Sequence, residues 1–177
     1  IGALGIVSLA DGGQMRTYRA YADAIGRGVP PQLGYLVKNA ECRRAAARLM
    51  PEAKSVVMAA AALPAAIETK TARYARFCYL GDYHEVMRGR MKALCGCLRT
   101  AFGVGDYRIC VDTAPLLERE LAVRAGIGTI GHNRMVSHRM LGSHIVLGAL
   151  LVDVDLGPYA GDLCHGVECG DVAAGLT

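Results

Sequence analysis

The sequence predicts an α+β domain, a mixed sheet flanked by helices, and three observations carry that expectation. Between Asp82 and Phe102 the apolar residues Met87, Met91, Leu94, Leu98 and Phe102 recur at three- and four-residue steps, the single buried stripe of a helix. Lys54 to Ala61 is a short, almost unbroken apolar stretch, which fits a strand covered on both faces rather than an amphipathic one. Arg134 to Ser137 and Ser143 to Val152 flank the turn-forming Arg139 to Gly142, so these two segments are expected to turn back on each other. Strict strand–helix alternation is missing, which favours α+β over α/β.

In chain order, Met15 to Gly28 is expected to be helical, with Tyr18, Tyr21 and Ile25 close to one face, and to end in the breaker run Gly26-Arg27-Gly28-Val29-Pro30-Pro31. A loop follows. Ala40 to Met50 has helical composition and is stopped by Pro51, and Pro64 to Thr71 is a connection. Gly103-Val104-Gly105-Asp106 breaks the long helix, Tyr107 to Val111 is expected as a short strand, and Thr113 to Ala125 as a second helix. That helix would carry Pro115 in its first turn and turn Leu117 and Leu121 inward. No internal repeat, low-complexity tract or linker is evident before about residue 157.

With 177 residues and 53% hydrophobic content, the chain is long enough for one core and short for two. Its longest apolar run, Val56 to Ile67, is interrupted by Pro64 and falls short of the roughly 20 residues a membrane-spanning helix needs, so a soluble protein is expected. The sequence opens on Ile1 with no signal pattern, as a trimmed chain or a fragment would. Seven cysteines without regular spacing fit a reducing compartment, with the cytoplasm as the default. The net charge is only +4, but Arg43, Arg44, Arg48, Arg73, Arg76, Arg88, Arg90, Lys92 and Arg99 concentrate positive charge between residues 43 and 99. Such a run suits a polyanion such as RNA; solvated helix faces are its commoner cause.

Gly126-Ile127-Gly128-Thr129-Ile130-Gly131 has the G-x-G-x-x-G pattern of dinucleotide-binding loops. That fingerprint needs a strand before it and a helix after it, whereas here it follows a predicted helix and leads into a predicted strand. The glycines then serve close approach of the backbone to a ligand or to another segment of the chain. Asp112, between a strand and a helix, is placed either to cap the helix or to act as an acid whose pKa is raised by burial. Asp82, Tyr83 and His84 open the long helix. His132, His138 and His144 lie six residues apart, a spacing that matches no zinc motif, so no metal site is expected. Cys95 and Cys97 are expected to pack rather than react. Cys164 and Cys169 do not make the four-thiolate run that a 4Fe–4S cluster requires.

Five ordered segments over about residues 33 to 156 resemble the epoxyqueuosine reductase family, which performs the last step of queuosine synthesis on tRNA. They are Leu33-Gly-Tyr35-Leu36 with the following Arg43 or Arg44 and the stretch from Leu49 through Pro51 to Ser55; Ala75-Arg76 through Gly81-Asp82-Tyr83-His84; Val111-Asp112-Thr113-Ala114-Pro115 through Glu118; Arg124-Ala-Gly126 through Gly131-His132-Asn133; and Leu141-Gly142-Ser143 through Leu147-Gly148. The resemblance implies a nitroreductase-like, cobalamin-binding catalytic domain over residues 1–156. Residues 157–177 would be the truncated start of a ferredoxin-like region or a disordered tail. It also implies cobalamin as cofactor, the anticodon loop of tRNA as partner, no DNA and no membrane. Electrons would come from two 4Fe–4S clusters whose ligands this sequence lacks, supplied by the missing ferredoxin-like region or by an electron-donor protein.

Asp112 is assigned by the resemblance as proton donor to the epoxide oxygen, since an alkoxide departs poorly unless it is protonated; Tyr83 and His84 would orient or tune it. Tyr35, Ala75, Asp112, Gly128, Gly131, Asn133, Val136 and Leu147 are carried over as corrin contacts. His132 stands where the family has Lys. Two alternatives stay open: a corrinoid-binding or trafficking protein without its own reductase activity, and a flavin-binding relative of nitroreductases.

Overall fold

A computed structural model of the chain describes residues 1–63 and 81–162. In chain order its elements are β1 (Ala3–Ser8), α1 (Tyr18–Gly26), α2 (Gly34–Lys38), β2 (Ser55–Ala62), α3 (Tyr83–Phe102), β3 (Tyr107–Cys110), α4 (Glu118–Arg124), β4 (Thr129–Ile130), β5 (Val136–Ser137), β6 (Ile145–Val152) and β7 (Tyr159–Asp162). The apolar stretch of β2 is buried along all but its last residue because it lies at the centre of a sheet ordered β3-β6-β2-β1-β7. Side chains alternate between the two faces. Val57, Ala59 and Ala61 join Leu4, Ile6, Leu150 and Val152 against Met87, Met91, Leu94 and Leu98 of α3. Val56, Met58 and Ala60 join Ala149 and Leu151 against Leu121, Ala122 and Ala125.

The α+β class and the flanking helices hold, but the sheet is antiparallel rather than mixed: every neighbouring pair runs antiparallel. β2 and β3 do run in the same direction, as a helical crossover requires, yet β6 lies between them and pairs with both. The expected hairpin also differs. β5 pairs with β4, Thr129 opposite Ser137 and Ile130 opposite Val136, while β6 is drawn into the main sheet, where it has a partner on each side. β7 pairs with β1 from Ala3 opposite Asp162 to Ile6 opposite Tyr159, so the sheet continues past residue 156 to Asp162. Cys164 and Cys169 lie outside the described residues.

α3 begins where expected, with the Asp82 carboxylate accepting the His84 N–H, and ends at Gly103 in the left-handed conformation, φ 69°. Cys95 is buried in its apolar stripe, and Cys97 is half-buried. The other helices are shorter than their composition suggests. Met15 is pulled out of α1 because its N–H bonds to Arg44 O and the neighbouring Gln14 bridges Ala45. The same bridge makes Ala45 extended, φ −152° and ψ 141°, and splits residues 41–48 into two 3-10 turns. α2 forms within the expected loop. α4 starts only at Glu118, which leaves Pro115 in the turn ahead of it. Among the described residues no helix is long and apolar enough to cross a membrane.

Buried Glu120 on α4 anchors the chain ahead of α1: it accepts the N–H groups of Arg16 and Thr17 and the Thr17 hydroxyl. The seat of α4 on the sheet depends on Gly5, where a Cβ would lie 1.9 Å from the Ala125 carbonyl oxygen. At Gly148 the corresponding clash is with the movable end of Met87, at 2.9 Å. By denaturant titration at neutral pH, Gly5→Ala is expected to cost more than about 3 kcal/mol and Gly148→Ala about 1 kcal/mol. Glu120→Ala, which strands two backbone donors, is expected to cost about 2–4 kcal/mol.

Candidate active site at the end of the sheet

β3 ends at Cys110, opposite Ala149 of β6. Continuing that register would place Asp112 opposite Leu147, but the chain turns away first. Thr113 N–H bonds to Val111 O at 2.5 Å across Asp112, and Asp112 has φ 55°. This is the strained hand of a three-residue turn. A second bond holds it: the Asp112 N–H donates to Glu118 Oε1 at 2.9 Å.

Asp112 therefore neither caps α4, whose N-cap is Leu117, nor lies buried. Its side chain is 67% exposed, so the protein alone does not supply the burial expected of it. Its carboxylate is instead met from α3. Tyr83 Oη donates to Asp112 Oδ2 at 3.3 Å, and His84 Nε2 lies 3.4 Å from the same oxygen. The Tyr83 and His84 rings are stacked, 4.0 Å between centroids. His84 Nδ1 is 2.7 Å from Asp82 Oδ1. With the Nδ1 proton turned to Asp82, neutral His84 presents Nε2 to Asp112 as an acceptor; with both ring nitrogens protonated it presents a donor there, so the ring can take a proton from the carboxyl or return one.

The surrounding ionisation follows from these contacts. The His84 hydrogen bonds hold the Asp82 carboxyl below the usual range. Burial first, and the Asp112 charge second, push the Tyr83 hydroxyl up to about 12, so it remains a donor. Burial pushes Glu118 up to about 8, against the opposing pull of the Asp112 N–H. Glu118 belongs to the same motif as Asp112, but its role was not legible there because it depends on the turn at Asp112.

The glycine-rich segment follows a helix, as expected, and its close approaches are to the chain itself. A Cβ at Gly128 would lie 2.3 Å from Ser137 O, and one at Gly131 would lie 3.0 Å from Asn133 Oδ1. Asn133 Oδ1 also accepts the Met135 N–H. Arg119 on α4 donates to Arg134 O at 2.7 Å, so neighbouring residues Glu118 and Arg119 tie the acid turn and the hairpin tip to one helical turn. Val136 is buried and Leu147 half-buried on the α4 side of the sheet. Ile130 and Met135 are exposed apolar residues of the hairpin. Tyr35 is exposed on α2, and no hydrogen bond or ring contact among the described residues joins it to Asp112. Ala75 lies outside the described residues.

His138 is buried, its Nδ1 accepting the Met140 and Leu141 N–H groups, whereas His132 and His144 are exposed. The basic run is partly structural. Arg43 is buried, with its guanidinium over Tyr21, Arg44 and Arg48 face Glu41, and Arg99 binds the Val104 and Gly105 carbonyls. Arg88, Arg90 and Lys92 are exposed, and Arg88 reaches Thr113 Oγ1 at 3.4 Å. Arg73 and Arg76 lie outside the described residues. A shallow depression lined by Leu49, Pro51, Tyr107 and Arg108 sits at the start of β3, the end remote from Asp112.

Comparison with known proteins converges on one family. The family model described as epoxyqueuosine reductase QueG, DUF1730 matches residues 43–113. Epoxyqueuosine reductase of Salmonella typhimurium is 36% identical over 118 residues, covering 66% of this chain and 30% of the relative. That of Pseudomonas aeruginosa is 41% identical over 75 residues, covering 42% and 21%. A crystal structure of epoxyqueuosine reductase with an epoxyqueuosine-modified tRNA-Tyr stem loop superposes with a TM-score of 0.69 at 25% identity, covering 93% of this chain and 45% of that one. The chain thus spans less than half the length of the relatives it matches. By sequence and by fold, the chain is similar to the epoxyqueuosine reductases.

Proposed function

We propose that this chain is the cobalamin-binding part of an epoxyqueuosine reductase, a cytoplasmic oxidoreductase that reduces the epoxide of epoxyqueuosine in tRNA. The observation that carries the reading is the placement of Asp112. An accessible carboxylate stands on a strained turn at the end of the sheet, with Tyr83 and His84 against one oxygen, and Oδ1 has no hydrogen-bond partner among the described residues. The likeness to epoxyqueuosine reductases suggests the substrate class, and the relative crystallised with a tRNA stem loop supports tRNA as partner.

The residues present fit a large flat corrin. The β4–β5 hairpin exposes Ile130 and Met135, apolar surface that a planar ligand would cover, and α4 ties that hairpin and the acid turn to adjacent residues. Gly128, Gly131, Asn133, Val136 and Leu147 would line this side. Tyr35 and Ala75 are further contacts by resemblance. His132, exposed at the hairpin tip, would leave a family lysine contact weaker. When bound, the cobalt centre supplies the reducing equivalents, fed by 4Fe–4S clusters of a ferredoxin-like region or by a donor protein.

The chain's own part is acid catalysis. Asp112 gives its proton to the epoxide oxygen as the C–O bond breaks, Tyr83 Oη steadies the carboxylate left behind, and His84, after taking a proton from solvent, returns one through Nε2 while Asp82 fixes its ring through Nδ1. Exposed Arg88 and Arg90 suit the phosphates of the RNA.

Two outcomes test this reading. Titration of the purified chain with cobalamin should shift the corrin absorption bands, and flavin should leave its own spectrum unchanged; the reverse would point to the flavin class. In the full-length protein with its clusters, Asp112→Asn should keep corrin binding and lower epoxide reduction by about 100-fold or more. Unchanged reduction by that variant would remove Asp112 as the donor.

A further inference from the structure

Resting on the reading above, we propose that Glu118 is the positioning residue of the acid: by accepting the Asp112 N–H it holds the left-handed turn that delivers the Asp112 carboxylate to Tyr83 and His84. Asp112 and Arg134 are the two non-glycine residues with positive φ among the described residues. Each is bonded by a neighbour on the first turn of α4, Asp112 by Glu118 and Arg134 by Arg119. A left-handed L-residue persists where its surroundings over-determine it. At Asp112 the side-chain contacts to Tyr83 and His84 are long, at 3.3 and 3.4 Å. The backbone bonds, Thr113 N–H to Val111 O and Asp112 N–H to Glu118, are the short ones.

The chemistry of Glu118 suits that role. Its carboxyl is half-buried and forms no ion pair with a cation among the described residues. Burial pushes it up to about 8, so near neutral pH it takes the Asp112 amide largely in the protonated form and adds little negative charge beside the acid. The titratable groups that face it are Asp112, Tyr83 of α3 and Cys110 of β3. Tyr83 is pushed up to about 12 and Cys110 to about 11. As pH rises through about 8, ionisation of Glu118 precedes that of both neighbours and places a new charge next to Asp112.

The test follows Asp112 by NMR in the wild-type chain, Glu118→Gln and Glu118→Ala; glutamine keeps an acceptor oxygen and alanine does not. Glu118→Gln should retain the wild-type Asp112 amide shift. Glu118→Ala should move it, speed its hydrogen exchange by about tenfold and shift the Tyr83 ring signals, while the Leu121 methyl signals stay in place. The carboxyl carbon of Asp112 should show a second step near pH 8 in the wild type that is lost in Glu118→Gln. An Asp112 amide with wild-type shift and exchange in folded Glu118→Ala overturns the proposal, as does an Asp112 carboxyl that titrates alike in wild type and Glu118→Gln. Should Glu118→Ala not fold, the Glu118→Gln titration decides. These readouts need no corrin, so a chain that passes them and fails to bind cobalamin sinks the functional reading alone.

Discussion

The arrangement of this site depends on the docking of α4. A helix of seven residues does not hold itself together in water. This one is held by the burial of Leu121 and Ala122 and by the close seat of Ala125 on Gly5. Once docked, its polar side chains capture backbone from three different segments. Glu118 takes the acid turn, Arg119 the hairpin tip, and Glu120 the chain before α1, while Arg124 binds Gln14 O. One helix thus bonds to all three segments.

That arrangement also keeps the charge at the site low. Three carboxyl groups, Asp82, Asp112 and Glu118, lie within reach of Tyr83 and His84, and like charges so close would disfavour one another. Each is handled differently. Asp82 is paired with His84 Nδ1, Glu118 is kept largely protonated by burial, and Asp112 is left to water. Asp112 is thus the group most open to whatever occupies the site.

How much of this was legible in the sequence varied with how local the cause is. β2 and α3 follow from unbroken apolar runs and a three-and-four stripe, signals that survive any tertiary context. Residues 40–50 look helical by composition, yet a single bridge from Gln14 to Ala45 breaks them. The helix expected from Thr113 is delayed to Glu118 by the turn at Asp112. The glycine pattern shows that something approaches closely, but cannot tell a ligand from Ser137 O. Tyr83, His84 and Asp112 were recognisable through the resemblance, whereas the exposure of Asp112 and the hold of Glu118 depend on contacts between residues that local patterns do not link.

The exposure of Asp112 is the step that bears most on mechanism. Proton donation is favoured where water is excluded, because desolvation disfavours the anion, and the 67% exposure of the Asp112 side chain leaves that exclusion to whatever binds at the site. On the proposed reading, a flat ligand and the RNA base above it exclude water from the carboxyl just when it must act. Tyr83 and His84 are already in place to exchange hydrogen bonds with it. The acid would then be competent only while substrate covers it, which couples proton delivery to occupancy without any movement of the sheet.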